Sequence, residues 1–160
     1  MKLPLLSFFA CLLFVSFSHA QDFKYGKVSK EELAETSHPK HEDATAAVLF
    51  RSTFTKFLYS QEEGFKVQTD YHERVKIYNQ GGYDYANIKV YLYKNGSADE
   101  RVSSLKGVTY TLVNGKINES KLKSSGVFDE KASKTRNIKK FTMPDIQDGA
   151  VIEYRYTITS

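Results

Sequence analysis

The chain reads as an all-β protein, an antiparallel β-sandwich with a short N-terminal helix, and three observations lead there. Apolar residues recur at every second position along several runs, as in strands that bury one face. Gly- and Asn-marked turns separate those runs at short intervals. A helix start signal occurs near the N-terminus and helical periodicity is otherwise weak, so layered sheets are the economical architecture, with a partly open barrel as the alternative closure.

Met1 to Ala20 stands apart from this pattern. It carries one positive charge at Lys2, an apolar stretch from Leu3 to Phe17, and small residues at Ser18 and Ala20. That is the pattern of a secretory signal peptide cut before Gln21. The apolar stretch is shorter than the roughly 20 residues that span a bilayer, so no membrane span is expected after cleavage. Residues 21–160 then form a single β-rich domain, exported to the periplasm or the cell surface.

Cleavage also removes Cys11, the one cysteine of the sequence, and takes the formal net charge from +4 to +3. The mature chain therefore has no thiol nucleophile, disulfide or cysteine metal ligand. It must be held together by burial, for which its length suffices. The charges are well mixed along the sequence, which gives no reason to expect nucleic acid.

In order, Ser29 followed by Glu32 is a capping box, so a short helix is expected over Lys30 to Glu35. Pro39 and its polar neighbours then make an exposed loop. Ala46 to Tyr59 is strand-like with a bend at Arg51 to Thr53. Across Glu63-Gly64 it meets the clearest alternation of the chain: Phe65, Val67, Thr69, Tyr71, Val75 and Ile77 on one face, and Lys66, Gln68, Asp70, His72, Arg74 and Lys76 on a polar one. The expectation is an antiparallel hairpin whose second strand is half-buried.

Asn87 to Lys94 alternates Ile88, Val90 and Leu92 with Lys89, Tyr91 and Tyr93, and ends at Asn95-Gly96. Val108 to Val113 and Lys116 to Asn118 form a hairpin through Asn114-Gly115, a dipeptide suited to positive φ. Ser120 to Ser133 reads as a long connection. Asn137 to Met143 and Ala150 to Thr159 form the last expected strand pair, and the second of these meets no closing turn, so the domain is expected to be truncated at its C-terminal side.

Several constellations bear on chemistry. His38, His41, Glu42 and Asp43 share one loop, where a His-x-x-His pair with carboxylates is a weak zinc signal beside the plainer reading as a solvated linker, and no metal or cofactor is expected. His72 lies on a polar face without a nucleophile at a telling spacing, so a surface histidine is the default and a small hydrolase using it as base is the weakest alternative. Lys134, Arg136, Lys139 and Lys140 make the densest basic run, read as a solvated face or guarded sheet edge. In the last strand Glu153 and Arg155 share a face, either as an ion pair or each reaching a neighbouring strand.

Eleven tyrosines and no tryptophan is an unusual aromatic balance. Tyr91, Tyr93, Tyr154 and Tyr156 are the candidate docking residues, since tyrosine combines apolar area with a polar tip and is enriched at interfaces. Sandwich core with cross-strand pairs is the plainer account of the same residues.

Five segments in order carry a family resemblance: Phe23 to Leu33, Asp43 to Phe50, Arg74 to Asn79, Lys106 to Leu112, and Lys140 to Pro144 with Gly149 to Tyr154. Together they resemble domain of unknown function 3857, a β-rich module at the front of exported Bacteroidota proteins that is usually followed by a transglutaminase-like domain. The resemblance implies a sandwich that continues past Ser160 and a Cys-His-Asp constellation beyond it. It implies that this chain is noncatalytic and supports or positions that downstream domain, its partner in the same polypeptide, or binds its substrate. A free-standing envelope protein that binds glycan or peptide is the alternative.

Overall fold

Alternation sorts the side chains of each long strand onto two faces, and in the larger sheet of this fold both faces are covered over part of their length. The computed structural model describes residues 23–96 and 99–160. The expected signal peptide, Met1 to Ala20, lies outside the described residues. One sheet has the order β1 (Ala46–Ser60), β2 (Gly64–Ile77), β8 (Val151–Thr159), β4 (Arg101–Val113), β5 (Lys116–Lys121). The second has the order β3 (Asn87–Tyr93), β7 (Arg136–Thr142), β6 (Val127–Lys131). Among the described residues all the strand pairs are antiparallel and there is one short α-helix, α1 (Lys30–Ala34), which makes the fold an all-β sandwich.

The local signals act where expected. Ser29 Oγ accepts from the Glu32 amide at 3.1 Å and the Glu32 carboxylate accepts from the Ser29 amide at 2.6 Å, completing the capping box. Gly64 at φ 71° turns β1 into β2, and Asn114 at φ 51° with Gly115 at φ 73° turns β4 into β5. The irregularity of β1 lies at Leu49, between the Val48 and Phe50 pairings, and not at Arg51 to Thr53.

Two further expectations are corrected. Ser120 to Ser133 is not a long connection: it holds the end of β5, a 3-10 turn over Ser124–Gly126, and β6. The segments around Asn137 and Ala150 are not partners, because β7 is the middle strand of the small sheet while β8 lies between β2 and β4 in the large one. Pro144, which lacks an amide donor, and Asp145 at φ 48° take the chain out of one sheet and across to the other. Likewise Asn95-Gly96 joins strands of different sheets, with Asp99 Oδ1 accepting from both amides.

Between the sheets, Val75 and Ile77 of β2 and Ile152 and Tyr154 of β8 pack against Val90, Leu92, Phe141 and Met143. On the opposite face of the large sheet, Leu33 of α1 packs with Val108, Tyr110 and Val151, and Tyr25 and Val28 close the margin. The N-terminal segment thus forms a third layer. The 3-10 turn Gln80–Ala86 fastens the start of β1, where Thr45 O accepts from the amides of Tyr78 and Asn79. A Cβ on Gly82 would overlap that same carbonyl oxygen and crowd Ala46. Gly82→Ala is expected to cost about 1–3 kcal/mol, read as a lower denaturation midpoint.

The β1–β2 hairpin outruns the small sheet. β8 follows β2 only as far as the Gln68–Thr159 pair, with a last bond from the Ser160 amide to Val67 O at 3.0 Å. Beyond it, on the side that faces the small sheet farther down, Phe57 is 76% exposed and Phe65 80% exposed.

Candidate functional site

The polar face of β2 is the first surprise of the structure. Arg74 and Lys76, expected in solvent, are buried, and so is Glu153 of β8. The cause is the N-terminal layer, which lies over this half of the large sheet. Arg74 and Glu153 are register partners in the β2–β8 ladder, so their side chains meet. The guanidinium donates to Glu153 Oε1 from Nη2 at 2.9 Å and from Nε at 3.2 Å, to Glu32 Oε1 at 2.8 Å, and to Lys24 O at 3.1 Å. Burial opposes its charge, and the hydrogen bonds to Glu153 and Glu32 more than offset that, raising its pKa. Glu32 therefore serves both the helix cap and this pair.

Glu153 gathers further partners. Oε2 accepts from the Gly26 amide at 2.8 Å, and Oε1 lies 2.8 Å from His72 Nε2. His72 is half-buried, not a free surface histidine, with its ring against Phe50 at 4.9 Å and Tyr25 at 5.7 Å. Of the two arrangements open to Glu153 and Arg155, the neighbouring strand wins for Glu153. Arg155 instead lies over the Tyr25 ring at 4.5 Å. The Tyr25 hydroxyl is buried without a partner, and burial, then the Glu153 charge, push its pKa up to about 12. Lys76 Nζ donates to Leu33 O at 2.9 Å and Gly149 O at 2.7 Å, and burial lowers its pKa to about 8.

A histidine held by a carboxylate is half of a nucleophile-activating arrangement. Here the carboxylate also serves Arg74 and a backbone amide, and the described hydrogen bonds join His72 to Glu153 and to no hydroxyl. The arrangement ties three elements together: the N-terminal layer, β2 and β8.

The tyrosines divide. Tyr91 and Tyr93 stand 57% and 50% exposed on the outer face of the small sheet. There Tyr91 pairs across the ladder with Ile138 and Tyr93 with Arg136, while Lys89 pairs with Lys140 and Lys140 with Phe128. Tyr154 is buried in the sandwich, edge-on to Phe141 at 5.5 Å, and Tyr156 is half-buried, stacked on Tyr71 at 4.8 Å. As a docking residue Tyr154 is thereby corrected, while Tyr156 lies at the margin of the core. Their face of β8 points between the sheets, so the plainer reading as core and cross-strand pair applies to them.

Of the two readings of the basic run, the guarded edge is corrected, while Lys134 and Arg136 are exposed as a solvated face requires. β7 is no edge strand, and its Lys139 and Lys140 pair with Asp129 and Glu130 of β6. His38 and His41 face each other across an isolated bridge with rings 5.2 Å apart, and among the described residues no three metal-ligating side chains gather.

A family model for domain of unknown function 3857, a domain with a solved structure, matches residues 65–160. The chain belongs to this family. The match begins at Phe65, the first aromatic of β2, and covers every later strand, including the β2 and β8 residues Arg74 and Glu153 that meet under the N-terminal layer. A crystal structure from Parabacteroides distasonis, described as a candidate protease, shares the fold with TM-score 0.53 at 12% identity. The alignment covers 72% of this chain and 23% of that one, so the chain spans about a quarter of that protein's length. No curated protein matches the chain.

Sequence reasoning missed the Arg74–Glu153–Glu32 cluster. A signal was present: three polar residues able to carry charge, His72, Arg74 and Lys76, lie on one face of a strand, and Glu153 lies between apolar neighbours in another. Such placement suits paired charges under a cover as well as it suits solvent.

Proposed function

We infer that this member of the DUF3857 family is a noncatalytic, exported sandwich module that supports or positions a downstream transglutaminase-like domain of the same polypeptide, or binds that domain's substrate. The observation that carries this reading is the division of labour in the structure. Buried Arg74, Lys76 and Glu153 are tied to structural partners, whereas large aromatic area lies outside, at Tyr91, Tyr93, Phe57 and Phe65. An apolar exterior of that kind is the mark of a surface that meets another protein. The length of the candidate protease that shares this fold, of which the chain spans about a quarter, supports the same reading.

The test is a pair of assays, acyl transfer and peptide hydrolysis, on residues 21–160 alone and on the full-length protein. The isolated module is expected to be inactive in both. Activity that persists through purification and disappears in His72→Ala would overturn the reading in favour of a hydrolase. Glycan or peptide binding by residues 21–160, abolished by Tyr91→Ser with Tyr93→Ser, would favour the free-standing binding protein instead.

A further inference from the structure

The overhanging end of the β1–β2 hairpin has two unlike faces. Register pairs Tyr59 with Phe65, Phe57 with Val67, Thr55 with Thr69 and Thr53 with Tyr71 on one face, and the Tyr59 and Phe65 rings are in contact at 4.9 Å. This face continues without a break into the side of β8 that holds Tyr156 and Ile158, both packed at the margin of the inter-sheet core. It is the inner face of the sandwich, carried past the small sheet. Aromatic residues that far exposed on an inner face want cover.

The chain itself is delivered to that place. β8 runs toward the hairpin tip, and its ladder with β2 is still intact where the Ser160 amide donates to Val67 O. The next positions of that path meet Lys66 and Phe65, so polypeptide leaving Ser160 starts within a residue or two of the uncovered aromatics. Tethering at such short range gives a high effective concentration, so even modest apolar contacts would stay closed. The turn beyond carries Glu62 and Glu63, which disfavours burial of the tip in a lipid surface.

On the reading that the polypeptide continues into a downstream domain, we propose that the face formed by Phe57, Tyr59, Phe65 and Val67 seats the segment that follows Ser160. That segment presents apolar side chains to this face and extends the smaller layer of the sandwich over the hairpin. The β1–β2 arm is then the part of the module that fixes the next domain's position.

The experiment places a photo-cross-linking residue in the full-length protein, Phe65→p-benzoylphenylalanine, with Phe54→p-benzoylphenylalanine on the opposite hairpin face as control, and maps the products by mass spectrometry. The expected result is an intramolecular link from position 65 to residues beyond 160, absent from position 54. In parallel, proteolysis within the hairpin of the full-length protein is expected to rise roughly tenfold in Phe57→Ser with Phe65→Ser. Links from position 65 to a second copy, or none to residues beyond 160 with unchanged proteolysis, overturn the inference while leaving the positioning role intact. A coding sequence that stops at codon 160 removes both.

Discussion

Glu153→Gln is expected to destabilise the fold by about 3 kcal/mol or more, the largest effect of any single change considered, because it leaves a buried guanidinium short of its counter-charge. Arg74 is 2% exposed and cannot turn to water. Glu32 remains as a partner, at 2.8 Å, which keeps the loss below that of a fully orphaned charge. The same change weakens the hold on Gly26 and on His72, so the N-terminal layer loosens along with the ion pair. Urea denaturation followed by circular dichroism gives the number. The double replacement Arg74→Met with Glu153→Leu is expected to cost less than the two single changes added together, because an apolar pair leaves no charge behind. A Glu153→Gln midpoint within experimental error of the parent would refute the assignment of this cluster as the fastening of the N-terminal layer.

The second large effect is in alkaline stability. Lys76 has a folded-state pKa of about 8, against 10.5 unperturbed, because burial penalises its charge. Between those values the unfolded chain holds a proton that the folded chain has released, so stability rises as pH increases from about 8 toward about 10. The rise contributed by this one group is up to about 3 kcal/mol. Tyrosines then reverse the trend. Tyr25 and Tyr156 are both pushed up to about 12, first by burial and then by Glu153 and Tyr71 respectively, and burial raises Tyr78, Tyr110 and Tyr154 in the same direction. Above about pH 10 the unfolded chain ionises its tyrosines while the folded chain does not, and stability falls. Guanidinium midpoints measured across this range should therefore pass through a maximum at about pH 9 to 10. In Lys76→Met the rising limb should vanish and the falling limb persist. A parent protein whose stability only declines from neutral pH upward would contradict the burial of Lys76.

Local chemistry was legible in the sequence where it is local. The capping box of Ser29 and Glu32, the turn at Gly64 and the Asn114-Gly115 hairpin each depend on a few adjacent residues, and each is in its expected place. The alternation of β2 was read with the right residues on each face. What alternation does not encode is which face is covered and by what. Arg74 and Lys76 are buried by a segment about forty positions upstream, and nothing within β2 announces it. β6 escaped notice because Val127 and Phe128 precede Asp129, Glu130 and Lys131, too few apolar residues to set a period. Sheet membership of β7 and β8 was misjudged because a Pro-Asp turn is equally able to join two strands of one sheet or to cross between two. For the tyrosines, exposure followed from which strand faced the small sheet's exterior, so Tyr91 and Tyr93 remain candidates and Tyr154 does not.

The position of β8 has a consequence for the order in which the protein can assemble. The strand lies between β2 and β4, and it is the last of the described strands to leave the ribosome. Until it arrives the large sheet is two separate hairpins, β1 with β2 and β4 with β5, with no ladder between them. Glu153 arrives with it and closes a contact to Gly26 across 127 positions of sequence. The N-terminal layer, which is synthesised before every described strand, is thus among the last parts to be secured. Such non-local closure makes for slow folding.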